Sequence, residues 1–180
     1  RLERLESAKV ANRELSEFLN KDFIPTLKKI SAWSKERYLK NNMKFSKDIP
    51  DFNLTLSLVD TGFHNSLRVK DKLLFFDFEF FGRDDPVKLV ADTLQHPGSL
   101  LDKKGNDQLS NELQSIFNDD KQFQIRLECL YPLFGLKWCM IMLNPFLPDY
   151  KLINVKDDIK IRRFKAVKRK LDLINSNLKI

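Results

Sequence analysis

At 180 residues the chain suffices for one medium domain that buries roughly 70% of its unfolded surface, so it needs neither disulfides nor metals to fold, and it is expected to form a single unit over 1–180. With 42% apolar residues, 32% charged and only five Gly, it is neither disordered nor collagen-like, and its longest uncharged apolar stretch, Trp138 to Pro148, is about half of what spans a bilayer. The net charge of +7 is localised: residues 151–180 hold ten Lys or Arg against three Asp and the first 150 residues balance, unlike a uniformly basic nucleic-acid-binding domain.

Residues 1–40 read as helix. Leu2, Leu5, Leu15, Phe18 and Leu19 recur at helical spacing, and Ile24, Leu27, Ile30 and Trp33 carry a second stripe that Pro25 starts in its first turn. Residues 41–53, with Asn41, Asn42, Pro50 and Asn53, read as a loop. Leu54 to Val59 is β-prone. Ser66–Val69 and Leu73–Phe76 read as two short strands around a turn at Lys70, Asp71 and Lys72. Phe75, Phe76, Phe78, Phe80 and Phe81 suggest base stacking or a buried strand packed on helices, and the strand is preferred. Asp84-Asp85-Pro86 suggests a cation site or a turn and helix cap, and the cap is preferred: Asp85 is expected to cap a helix that Pro86 begins and that His96-Pro97-Gly98 ends.

From Asn106 the chain is helical again, with Leu109, Leu113, Ile116 and Phe117 on one stripe. A long apolar helix from about Phe123 to Leu143 contains Pro132 and Gly135, which predict a kink or break. A last helix spans about Asp157 to Leu173, with Ile161, Phe164, Val167, Leu171 and Ile174 on its apolar face. That stripe needs a core, so Lys168, Arg169 and Lys170 are assigned to a solvated basic face.

Cys129 and Cys139 form no CxxC pair, and with His64 and His96 they make a poor set of soft ligands. A structural zinc is not expected. The thiols read as reduced core residues, consistent with a cytoplasmic protein.

The informative place is the hairpin near residue 70. If its strands pair as above, Asn65 and Asp77 lie opposite each other within roughly 5 Å at the backbone. An amide oxygen and a carboxylate there suit a hard cation such as Mg²⁺. Asp60, on the loop leading in, could accept a proton from an attacking hydroxyl. The spacing Asp-x-x-x-x-Asn followed by Asp-Phe is that of a kinase catalytic loop and metal-binding turn.

The segment Leu58-Val59-Asp60-Thr61-Gly62-Phe63-His64-Asn65, then Phe75-Phe76-Asp77-Phe78-Glu79 and Gly82-Arg83-Asp84-Asp85-Pro86, resembles the aminoglycoside phosphotransferase family. These kinase-like small-molecule phosphotransferases are related to choline kinases. The resemblance covers residues 56–97. It implies an α+β, mostly helical fold, a protein-kinase-like C-terminal lobe with a small β-hairpin at the active edge. It implies Asp60 as the catalytic base, Asn65 and Asp77 as Mg²⁺ ligands, and His64 and Glu79 as supporting residues. Leu58 stands where such families usually carry a His.

The implied reaction moves the terminal phosphoryl group of ATP or GTP to a small-molecule hydroxyl. No GxG pair occurs, and no strand-borne Lys with a helix Glu partner precedes Asp60. The chain therefore reads as the C-terminal lobe alone, without its nucleotide-clamping partner, and is expected to be inactive by itself. Two other readings stay open: an inactive phosphotransferase-like binding module, and a helical nucleic-acid-binding domain working through the basic tail.

Overall fold

A computed structural model describes residues 1–8, 12–58, 60–99, 101–147 and 156–178. Val59, Pro148 and the tail positions 151–155, 179 and 180, which the sequence reading touched, lie outside these described residues. The described residues form an α+β structure dominated by helices: α1 Leu2–Ala8, α2 Arg13–Phe18, α3 Ile24–Lys40, α4 Pro86–Gln95, α5 Lys103–Ser115, α6 Phe123–Met142 and α7 Asp157–Asn177. Two small antiparallel sheets complete it. One pairs β1, Thr55–Ser57, with β4, Gly82–Asp84; the other pairs β2, Ser66–Val69, with β3, Lys72–Phe75. The chain divides into two compact units, Arg1–Trp33 with Gly135–Ile180, and Ser34–Phe134.

In the first unit, Asn12 caps α2 by accepting from the Leu15 N–H at 2.9 Å. A π-helical turn, Leu19–Phe23, then leads into α3. It sits just before Pro25, which has no N–H to give and whose ring crowds the carbonyl four residues back. Leu5, Leu15, Phe18, Leu19, Phe23, Phe164 and Val167 are buried, with Phe18 edge-on to Phe164 at 5.3 Å.

The basic face of α7 is less solvated than its sequence suggests. Lys168 lies 3.0 Å from Glu14 and over the Phe164 ring at 4.5 Å, and burial pulls the Lys170 ammonium pKa down. Ile161, assigned to the apolar stripe, is instead exposed.

In the second unit, Asp85 caps α4, accepting from the Val87 N–H at 2.8 Å, and Pro86 occupies its first turn. The same carboxylate receives both Nε and Nη2 of Arg126 at 3.1 Å. Arg126, only 3% exposed, also reaches Asp120 at 2.8 Å. Burial pushes the Asp120 carboxyl up, but hydrogen bonds from Arg126 and the Gln122 N–H outweigh it and hold the pKa below its ordinary value. Val87, Val90 and Ala91 of α4 pack on Phe123 and Leu127 of α6.

α6 runs through Pro132 without a break, where a kink or break was expected. In the same stretch the carbonyls of Cys129 and Tyr131 accept side-chain bonds from Ser34 Oγ at 2.8 Å and Gln95 Nε2 at 3.4 Å, which tie this part of α6 to α3 and α4.

The hairpin turn holds two residues, Lys70 and Asp71, with Lys70 in left-handed backbone at φ 55°. The Phe-rich stretch after it is not a buried strand: Phe76, Phe78, Phe80 and Phe81 are all exposed, Phe80 by 63%. Only β3 pairs with β2 in this sheet, and a two-stranded ribbon has too little surface to bury so many rings by itself. No described helix is long and apolar enough to cross a membrane.

Candidate functional site: a loop pinned to the end of a helix

Residues 60–65 join β1 to β2 and are tied to the last turn of α4. Thr61 Oγ1 meets Thr93 Oγ1 at 3.1 Å, and the Phe63 N–H donates to the Gly98 carbonyl at 3.4 Å. Within the loop, a short 3₁₀ turn at Phe63–Asn65 closes on the Asn65 N–H to Gly62 carbonyl bond at 2.9 Å. The Asn65 amide is buried and its Nδ2 donates to the Asp60 carbonyl at 3.4 Å. The Phe76 N–H then donates to the Asn65 carbonyl at 3.0 Å, which ties the loop to the strand that precedes Asp77.

The register corrects one expectation. Ser66 pairs with Phe75 and Val69 with Lys72, so Asn65 faces Phe76 and not Asp77. A three-residue turn would have put Asn65 opposite Asp77; the two-residue turn shifts the ladder by one. Asp77 falls just beyond it in left-handed backbone, φ 68°. Non-glycine residues seldom adopt that conformation, and it is concentrated at functional and turn positions. Asp77 and Glu79 are exposed, and their side chains carry no hydrogen bond or ion pair among the described residues.

His96 is the residue that sequence reasoning undervalued: before Pro-Gly it reads as a loop residue that stops the helix, with a substrate contact as the lesser reading. It is the C-cap of α4 at φ −62°, ψ 126°, the extended backbone that a following proline enforces. Its side chain is 4% exposed, and Nε2 lies 2.8 Å from Asp60 Oδ1. Nδ1 accepts from the Gly98 N–H at 2.9 Å. Burial pulls the His96 pKa down, against the attraction of the Asp60 carboxylate, which favours the neutral ring.

His64 is 58% exposed at its side chain, with Nε2 3.7 Å from Asp60 Oδ1, too far for a hydrogen bond. The two imidazole centroids are 5.5 Å apart. Gly62 lies beneath both rings, where a Cβ would overlap His96 and His64. The Gly62 backbone, φ −60° and ψ 146°, suits any residue, so glycine serves here for space.

Donor atoms of two kinds occur here. Asp60, His64 and His96 bring one potential ligand atom each within 4.8 Å of one another, although both His96 nitrogens are already engaged, Nε2 with Asp60 and Nδ1 with the Gly98 N–H. The sequence tally of soft ligands did not foresee this grouping, because one carboxylate and two distant histidines make no motif. Asn65 and Asp77 offer oxygen alone. With Nδ2 of Asn65 turned to the Asp60 carbonyl, its Oδ1 is a hard oxygen donor, as is the exposed Asp77 carboxylate, which the register sets one residue past it. A cleft of about 860 Å³ lies elsewhere in the same unit, among Tyr38, Phe45, Ile49, Asp85 and Arg126, and none of the residues above lines it. No family model matches the chain, and no curated protein or solved structure matches it.

Proposed function

We propose that this chain carries the catalytic loop of a kinase-like phosphotransferase, which moves the terminal phosphoryl group of a nucleoside triphosphate to the hydroxyl of a small molecule. One observation carries the reading: Asn65 is bonded on one side to the Asp60 carbonyl and on the other to the Phe76 N–H, the residue before Asp77. Three residues with the chemistry of a kinase-type site are thereby held on one loop and one strand end.

The roles follow from the groups. Asp60 aligns an acceptor hydroxyl and takes its proton as the oxygen attacks phosphorus. Asn65 and Asp77 would hold Mg²⁺, which supplies neutralisation of phosphate charge when bound. The tethers to Thr93 and Gly98 keep the Asp60 loop from drifting, and positioning is the main source of rate in phosphoryl transfer.

The test uses the intact protein, with the nucleotide-clamping lobe that this reading requires in place, and Mg²⁺ with γ-labelled ATP or GTP against a panel of aminoglycosides, choline and related hydroxyl compounds. Label is expected to move to at least one acceptor, and Asp60→Asn should abolish the transfer. Tight nucleotide binding with no transfer to any acceptor would replace this reading with that of a binding module. Retention of full transfer by Asp60→Asn would overturn it.

A further inference from the structure

We propose that His96 is the positioning residue of this site: as a neutral imidazole protonated at Nε2, it pins Asp60 Oδ1 and leaves Oδ2 to meet the acceptor hydroxyl. The inference rests on the phosphotransferase reading for its functional meaning and on geometry for the bond itself.

The tautomer follows from the hydrogen-bond partners. The Gly98 backbone N–H can only donate, and it points at Nδ1 from 2.9 Å, so Nδ1 carries the lone pair. The ring proton is then on Nε2, where Asp60 Oδ1 accepts it at 2.8 Å. An imidazolium would set a second N–H against that of Gly98 in a buried place, a geometric conflict that opposes the pull of the Asp60 and Asp92 carboxylates. Asp60 gains an orienting bond.

The carboxylate is engaged on one side. Its described neighbours, His96 Nε2 at 2.8 Å, the Gly62 N–H at 3.4 Å and His64 Nε2 at 3.7 Å, all meet it at Oδ1. A carboxylate held at one oxygen has one torsion left to fix, and the short, buried bond fixes it. Local sequence builds the support: Pro97 forces His96 out of the helix, while Gly62 and Gly98 clear space for its ring.

The experiment combines long-range ¹H–¹⁵N spectroscopy of the imidazoles with turnover of Mg²⁺–ATP, water serving as the acceptor, in the intact protein. At pH 7 the spectrum should show His96 as the Nε2–H tautomer, unaltered by EDTA, with a ring-proton signal that moves in Asp60→Asn. His96→Leu should lower kcat about 100-fold, the scale of a misplaced catalytic group, with KM for Mg²⁺–ATP changed less than about twofold. His96→Gln, which keeps an N–H donor, should recover at least about tenfold of that loss. An Nδ1–H tautomer, a charged ring or an EDTA-sensitive spectrum would overturn the proposal, as would equal kcat values for the Leu and Gln variants. If the wild type turned over no ATP, the phosphotransferase reading would suffer, and the wild-type and Asp60→Asn spectra would still decide the His96–Asp60 bond. The same spectra decide it if His96→Leu fails to fold.

Discussion

Gly62 and His96 share one volume: the imidazole occupies the space that a side chain at residue 62 would need. The loop bearing Asp60 and the helix end bearing His96 can approach only because residue 62 has no Cβ. Gly62→Ala should therefore displace both imidazoles at a cost of about 1–3 kcal/mol, the usual range for overpacking. Thermal unfolding and the His96 ring signals measure this. A variant as stable as wild type with unmoved signals would show that the loop has room to spare.

Asp60 and Asp77 should fail differently. Asp77→Ala removes a group assigned to the nucleotide-bound metal and should weaken Mg²⁺–ATP binding as well as abolish transfer. Asp60→Ala acts on the acceptor side and should cut kcat by at least about 100-fold with little change in nucleotide affinity. Calorimetric titration with Mg²⁺–ATP beside steady-state kinetics separates the two. Equal losses of nucleotide affinity would erase the distinction in roles.

Arg126 ties α4 to the segment before α6 through Asp85 and Asp120. Arg126→Met leaves two carboxylates facing a low-dielectric interior without their cation and should cost about 3–5 kcal/mol. The acid limb of the stability curve should carry the mark of Asp120. Its folded pKa is held below the ordinary 3.8, so its contribution is present above that pH and fades as pH falls through the lower folded value. Asp120→Asn should flatten this part of the curve, which acid titrations followed by circular dichroism would detect.

Both thiols should be inert in the folded protein. Burial pushes the Cys129 pKa up to about 11 and the Cys139 pKa up to about 12, leaving little thiolate at pH 8. Neither is in a disulfide. A disulfide-exchange reagent at pH 8 should label neither within minutes and both after denaturation. Fast labelling of either in the native state would contradict its burial.

The sequence alone determined what nearest neighbours along the chain can enforce. Asp85-Pro86 starts α4 and His96-Pro97 stops it, through a cap and a lost N–H within a few residues of each boundary. The spacing from Asp60 to Asn65 places both on one loop, and the Lys70–Asp71 region makes the hairpin. Tertiary structure decided the rest. A turn shorter by one residue moved Asp77 out of line with Asn65, because strand pairing has a period of two and counts every residue. The exposure of Phe76, Phe78, Phe80 and Phe81 followed from what does not cover the ribbon, which no local pattern states. The bond between Asp60 and His96 depends on how α4 packs against the loop from β1. That contact joins residues far apart in the chain, and only the balance of packing over the whole unit fixes its distance.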